Sequence, residues 1–395
     1  MTQSLHTPRL STLILLSALA ILPINIFLPS LTNMAADFGV DYGVAGLALA
    51  AYAAVSAGLQ IVMGPLSDRF GRRPVVIWGL AIFVVATIGC AVAPDIWTFL
   101  ASRMIQAVIA PTFAVSLAVI RDTTSKGEAA SRIGYVAMAW AVAPMLGPSF
   151  GGLLDEAFGW RASFWFLAIF GIAVTALCLI DLRETNRNPS STIVGQFRAY
   201  SELLGSRRFW AYAITMAFSV GAYFAFLAGA PLVAGAAFEM SAAVLGIYMG
   251  SITAGFMLGS FLSGRFASRF ALTTTIIAGR ILACVGLLLG LMLYLAGIDH
   301  VMALFGPCML VGLSNGLTQP SANAGAISVR PGLTGSAAGL AAAITVAGGA
   351  TMSSIAGAVL TLDNARYALL LVMLASAAIA LMAALSAWRL ERGVA

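Results

Sequence analysis

Twelve stretches of about 20 apolar residues recur along the chain, at 10–31, 42–66, 74–93, 96–119, 133–154, 162–180, 210–234, 244–264, 272–297, 301–326, 334–360 and 367–388. A helix that crosses a bilayer needs about that many residues. In lipid the backbone N–H and C=O groups find no water, so only helices and closed barrels can span. Barrel strands run roughly 10 residues and alternate apolar with polar; these runs are longer and do not alternate. The expected fold is therefore all-α, with twelve transmembrane helices. Composition agrees: only 9% of the residues are charged, against about 25% in a soluble domain. The four cysteines, Cys90, Cys178, Cys284 and Cys308, all lie inside the apolar runs. Their spacing suits neither a metal site nor a disulfide framework, and they read as small packing residues.

The basic residues set the orientation. With the N-terminus in the cytoplasm, the inner loops carry seventeen of the twenty-one Lys and Arg, and the outer loops only Arg161 and Arg366. Arg103 and Arg280 fall within spans. This positive-inside bias predicts that both termini are cytoplasmic. The net charge of +6 follows from the same clusters and does not point to nucleic acid. The first stretch is too long for a cleaved signal and contains Pro23, Asn25 and Pro29.

The longest hydrophilic stretch divides the spans six and six. The expected organisation is an N-terminal six-helix bundle over 1–180, a cytoplasmic linker over 181–209 with a short amphipathic helix near 195–206, and a C-terminal six-helix bundle over 210–395. The two halves echo each other. Gly64-Pro-Leu-Ser-Asp-Arg-Phe-Gly-Arg-Arg-Pro74 and Ser260-Phe-Leu-Ser-Gly-Arg-Phe-Ala-Ser-Arg-Phe270 share Leu, Ser, Arg, Phe and a last Arg at an offset of 196 residues. Internal pseudo-symmetry of this kind is common in secondary transporters, whose sites lie between the repeats.

Three motifs resemble those of the major facilitator superfamily, over nearly the whole length. Gly64–Pro74 contains G-x-x-x-D-R-x-G-R-R between spans two and three. Arg103-Met-Ile-Gln106 is similar to the R-x-x-Q of span four, and Gly147-Pro148-Ser-Phe-Gly151-Gly152 to the G-P-x-x-G-G of span five. The chain is most similar to the twelve-span drug exporters of the bicyclomycin and chloramphenicol resistance type. The resemblance implies that Asp68, Arg72 and Asp122 form a conformational latch at the cytoplasmic helix ends. It also implies that span five is a gate helix, with Gly147, Pro148, Gly151 and Gly152 permitting close approach to a neighbour. Spans two, five, eight and eleven would form the sliding interface between halves.

The resemblance further implies that spans one, four, seven and ten line a central cavity. That places Asn25, Arg103, Gln106, Tyr223, Asn315 and Gln319 around one pocket, with Tyr52, Trp140 and Tyr248 as aromatic walls. Asn315, Gln319 and Asn323 share one face of span ten at i, i+4, i+8, and Pro320 is expected to interrupt that helix. Arg103 should face the interior, because an unpaired Arg at mid-membrane is costly. It either serves coupling or bonds the backbone of span one. Arg280 is read as an anchor that snorkels to the interface.

No Asp or Glu lies near a span centre, and Asn25 stands where related exporters place an Asp. Asp37 and Asp41, in the loop after span one, and Glu239 remain as proton candidates at the outer mouth. A pocket without a carboxylate suits neutral or zwitterionic amphiphiles better than cations.

The leading expectation is thus an exporter of small amphipathic drugs or metabolites in a bacterial inner membrane, working by proton antiport and alternating access. The alternative is a dedicated transporter of one metabolite, not necessarily proton-coupled. An enzyme is disfavoured, because the only histidines, His6 and His300, lie outside the spans and no nucleophile, metal or nucleotide motif occurs. The expected partners are a small-molecule substrate, protons and the lipid bilayer. No cofactor, metal or nucleic acid is expected, and one chain supplies both halves, so a monomer suffices.

Overall fold

A computed structural model describes residues 7–124, 126–186, 200–266, 269–298, 300–330 and 333–392. The side chains of Asp68 and Trp140, an expected latch residue and an expected pocket wall, lie outside those described, as does most of the expected linker helix; residues 200–204 of it are helical. The described residues are almost entirely helical, with no strand among them. Eleven helices among them are long and apolar enough to cross a membrane. These are span one (Leu10–Phe38), two (Tyr42–Met63, helical on to Phe70), three (Arg72–Val92), four (Ile96–Ile120), six (Arg161–Asp181), seven (Arg207–Gly235), eight (Ala242–Phe266), nine (Leu272–Leu295), ten (Val301–Ser328), eleven (Ser336–Val359) and twelve (Ala365–Arg392). Between four and six runs the 33-residue helix Lys126–Phe158, in the place of span five.

Prolines shape two spans in a way that run length does not reveal. Span one is helical over Leu10–Asn25, tightens to a 3-10 turn at Leu28–Ser30, and resumes over Leu31–Phe38. Pro29 has no N–H to offer the carbonyl four residues back, so the regular ladder cannot continue there. Span four breaks at Ala107–Ile109, four residues and fewer before Pro111, and resumes at Thr112. Because span one runs on to Phe38 before Gly39 turns it at φ +63°, Asp37 stands on its last helical turn rather than in the loop. Pro320 has the opposite outcome. Span ten is one continuous helix, Val301–Ser328, with Pro307 and Pro320 inside it, so the expected interruption is absent.

Among the described residues, the helices up to Asp181 and those from Arg207 on meet mainly through span two against eleven and Lys126–Phe158, called span five, against eight. One end of the molecule carries the arginine-rich turns and is called the basic end. The other carries Asp37, Asp41, Asp95, Asp155, Glu156, Glu239 and Asp363 and is called the acidic end. Small residues let backbones touch near the acidic end. A methyl at Gly151 would overlap the Ile26 carbonyl of span one, and one at Gly152 the Ala242 carbonyl of span eight. Methyls at Gly246 and Gly250 would strike the Pro148 and Met145 carbonyls, and Gly43 sits against Gly357 of span eleven. The Tyr42 hydroxyl also donates to the Ala228 carbonyl of span seven.

Candidate functional site

Arg103 lies fully buried, at 0% exposure, on the first segment of span four. The Pro111 break ends that segment at Gln106, three residues on. The Arg103 Nη1 donates to Gln106 Oε1, Gln106 Nε2 donates to Thr87 Oγ1 of span three at 2.7 Å, and Thr87 donates to the Phe83 carbonyl at 2.6 Å. The guanidinium carbon lies 4.3 Å from the Phe27 ring centre, 4.5 Å from Tyr52 and 5.8 Å from Phe164. Phe27 is in the break of span one, Tyr52 on span two and Phe164 on span six. Each nearby ring face contributes up to about 2 kcal/mol when desolvated, and a hydrogen bond to a charged group about 1.5–3 kcal/mol. Together these match the cost of at least about 2.5–3.5 kcal/mol for an arginine at mid-membrane on insertion scales. The site therefore keeps its cation without a carboxylate. Two donors, Arg103 Nε and Nη2, are left without a partner, as is the Tyr52 hydroxyl. The backbone of span one, considered as an acceptor for Arg103, does not serve; the Phe27 ring does. From Phe164 a ladder of rings runs through Phe99, Trp160 and Phe38 to Asp37, which accepts from Trp160 Nε1 at 3.1 Å and pairs with Arg161.

Asn315 and Gln319 form a second, separate group. Asn315 is buried and Gln319 half-buried, while Asn323 is exposed. Asn315 Nδ2 donates to the Ser219 carbonyl of span seven at 3.0 Å, and its Oδ1 accepts from Arg280 Nη2 at 2.8 Å. Gln319 Nε2 donates to the Met216 carbonyl, also of span seven, at 3.2 Å. Arg280 is not the expected interfacial anchor: it is 0% exposed. Its Nε reaches Thr318 Oγ1 at 3.0 Å and its Nη2 reaches Ser314 Oγ at 2.6 Å. Snorkelling fails because the guanidinium points at span ten, whose hydroxyls at positions 314 and 318 share a face one turn apart. That pair of hydroxyls was a readable signal beside the polar stripe.

The other expected pocket residues lie outside these two hydrogen-bonded groups. Asn25 is buried and donates to the Ile21 carbonyl of its own helix at 3.0 Å, beside Gly147 of span five. Tyr223 and Tyr248 are half-buried against the central apolar cluster. Cys90, Cys178 and Cys308 are buried free thiols.

At the basic end Arg72 Nε reaches Asp122 Oδ2 at 3.3 Å and Arg72 Nη1 reaches Ser67 Oγ at 2.6 Å. A further partner was not foreseen. Glu184, just past span six, accepts from the backbone N–H of Arg72 at 2.9 Å and of Arg73 at 3.2 Å, capping span three. A side chain at Gly71, whose φ is +96°, would collide with that carboxylate. The glycine of the motif thus makes room for a carboxylate supplied from more than a hundred residues away.

Of the proton candidates, Asp37 is ion-paired and Asp41 and Glu239 are exposed. The buried acid among the described residues is Asp155, at 7% exposure, whose Oδ2 accepts from Asn33 Nδ2 at 2.7 Å. Among the described residues no cluster of His, Cys, Asp and Glu is placed to hold a metal.

A family model described as Major Facilitator Superfamily matches residues 13–353. The chain is 33% identical to an uncharacterized MFS-type transporter, YdgK, of Bacillus subtilis (strain 168), over 70% of this chain and 74% of that protein. It is 28% identical to Multidrug resistance protein D of Escherichia coli (strain K12), over 87% of this chain and 86% of that one. Among solved structures, a bacterial homolog of the human lysosomal transporter Spinster, in an inward-facing and unoccupied conformation, superposes with a TM-score of 0.75. That match has 16% identity and covers 97% of this chain and 96% of the other; at that identity the likeness is one of fold.

Proposed function

The chain belongs to the major facilitator superfamily, a family of membrane transporters rather than enzymes, and on that premise we propose that it exports small neutral or zwitterionic amphiphiles from a bacterial cytoplasm. The reading has twelve spans and both termini inside. Residues 1–180 and 210–395 act as two halves that rock about spans two, five, eight and eleven, in a monomer of the inner membrane. The Arg72–Asp122 pair serves as the cytoplasmic latch, and the Gly147–Gly152 segment as the gate. The observation that carries the substrate class is Arg103: a buried cation seated on rings, with two unmet N–H donors and no carboxylate beside it. Such a fork donates to a carbonyl, a nitro group or the anionic part of a zwitterion, and it repels a bare cation.

The test is drug susceptibility in a host stripped of its main exporters. Raised tolerance to several neutral and zwitterionic drugs, lost in Arg103→Ala at equal membrane level, supports the reading. A response to one compound alone would favour the dedicated metabolite transporter. The span-ten stripe lends that alternative less than expected, because the Asn315 amide is already held at both ends.

For the energy source the reading is proton antiport. Export from proteoliposomes should then be driven by an imposed pH gradient that is acid on the far side, and export indifferent to that gradient would favour the alternative that is not proton-coupled.

A further inference from the structure

Span eight starts in an unusual way. Ser241 is its N-cap, and Ser241 Oγ accepts the Val244 N–H at 3.4 Å. In an ordinary capping box the third helical residue is Glu or Gln and completes the cap from within the helix. Here that residue is Val244, which cannot. The carboxylate comes from elsewhere. Glu156, past the apolar stretch of span five, accepts the Ala243 N–H at 3.2 Å and a hydrogen bond from the Ser241 hydroxyl. A negative charge at a helix N-terminus is favourable in itself.

This cap joins the first six spans to the last six. It continues the line along which their backbones touch: Met145 against Gly250, Pro148 against Gly246 and Gly152 against Ala242. Ser149 Oγ also donates to the Gly246 carbonyl at 3.1 Å. Beside it is a partly open pocket of about 220 Å³ whose walls include the half-buried Thr32 and the exposed Asn33 of span one, Pro231 of span seven, Ser241 and Glu156 itself. The glycine seam supplies fit but no directed bond at its mouth, and Glu156 supplies one.

We propose that Glu156 is the acidic-end latch of the transport cycle: its carboxylate, capping span eight across the interface, holds the two halves together at that end, and breaking the cap lets them part and widens the pocket. The proposal rests on the alternating-access reading above. The Ser241 hydroxyl and the Ala243 N–H hold the Glu156 carboxyl below the ordinary carboxylate range. The latch is therefore fully charged at neutral pH and weakens only as acid protonates the carboxylate. The adjoining Asp155 accepts from Asn33, and the charged pair nearest in the chain, Asp37 with Arg161, is satisfied internally.

The experiment is thiol labelling of Thr32→Cys in nanodiscs with a hydrophilic maleimide, in a background with the half-buried Cys284 replaced by alanine. Glu156→Gln, which keeps the size and one acceptor, is expected to raise the labelling rate severalfold without lowering the melting temperature. Adding Val244→Glu restores a cap to span eight from within the helix but not the bond across the interface. The rate in Glu156→Gln/Val244→Glu should stay high. An unchanged rate in Glu156→Gln, or a return to the parent rate in the double variant, would overturn the latch; the second result would make Glu156 a helix cap and nothing more. Labelling does not depend on transport. A raised rate in a protein that exports nothing keeps the latch and removes the export reading, whereas export with an unchanged rate does the reverse.

Discussion

Two arginines are wholly buried in this protein, and they are held by opposite means. Arg280 sits among directional acceptors: two hydroxyls and an amide carbonyl, from three consecutive hydrogen-bonding positions of span ten, take its Nε and Nη2. Arg103 sits on faces: two near rings, a third further off, and a single amide oxygen. Directional bonds fix where an arginine points. Ring faces neutralise its charge while leaving the edge of the guanidinium free, and two of the Arg103 donors are indeed unmet against one for Arg280. The difference separates a cation that builds a helix pair from one that can still receive something.

Lysine tells the two apart. Arg103→Lys keeps the charge but loses the planar fork and the stacking. It should lower export about tenfold or more, equivalent to one charge-assisted bond of about 1.5–3 kcal/mol, as read by drug accumulation at matched expression. Export near the parent level would mean that charge alone matters there. At position 280 the same change should be mild. An ammonium has three donors for the three acceptors of Ser314, Asn315 and Thr318. Arg280→Ala, by contrast, takes the cationic donor from those buried oxygens and should cost about 2–4 kcal/mol of stability, seen as a lower melting temperature in detergent. If Lys and Ala melt alike, hydrogen bonding is not what Arg280 supplies. Tyr52→Phe tests the open edge of the Arg103 site. It removes a buried hydroxyl that has no partner in the resting protein, so the melting point should hold or rise slightly while export falls a few-fold. The smallest effect belongs to Thr87→Val, which deprives Gln106 Nε2 of its acceptor. A modest loss of export is expected, with the residual activity showing how far the rings alone can orient Arg103.

The sequence reading reached some of this and not the rest, for physical reasons. Span positions follow from hydropathy because lipid imposes length. Arg103 and Gln106 are neighbours on one helix, so their pairing was within reach of spacing alone. The burial of Arg280 was not, because depth along a span says nothing of which neighbour the side chain meets; only the hydroxyls at 314 and 318 hinted at it. Glu184 and Glu156 each cap a helix far away in the chain, and no local pattern marks a cap supplied from outside. Val244 marked one only by lacking the usual glutamate. The prolines misled in both directions. Pro29 and Pro111 break their spans, whereas Pro320 is absorbed into a helix braced by its neighbours.

The seam between spans five and eight also bears on how fast the molecule can work. At its glycines the residues that touch are glycine, proline and alanine, with Met145 through its carbonyl and Ser149. Such residues have essentially no rotamers to freeze, whereas each long side chain ordered at an interface costs up to about 2 kcal/mol of side-chain entropy. Closing the seam at those contacts therefore immobilises little, and opening it there releases little. Neither conformation gains a large entropic advantage from the seam itself. The balance is left to a handful of polar contacts at its ends, where a bound solute of ordinary affinity is strong enough to tip it.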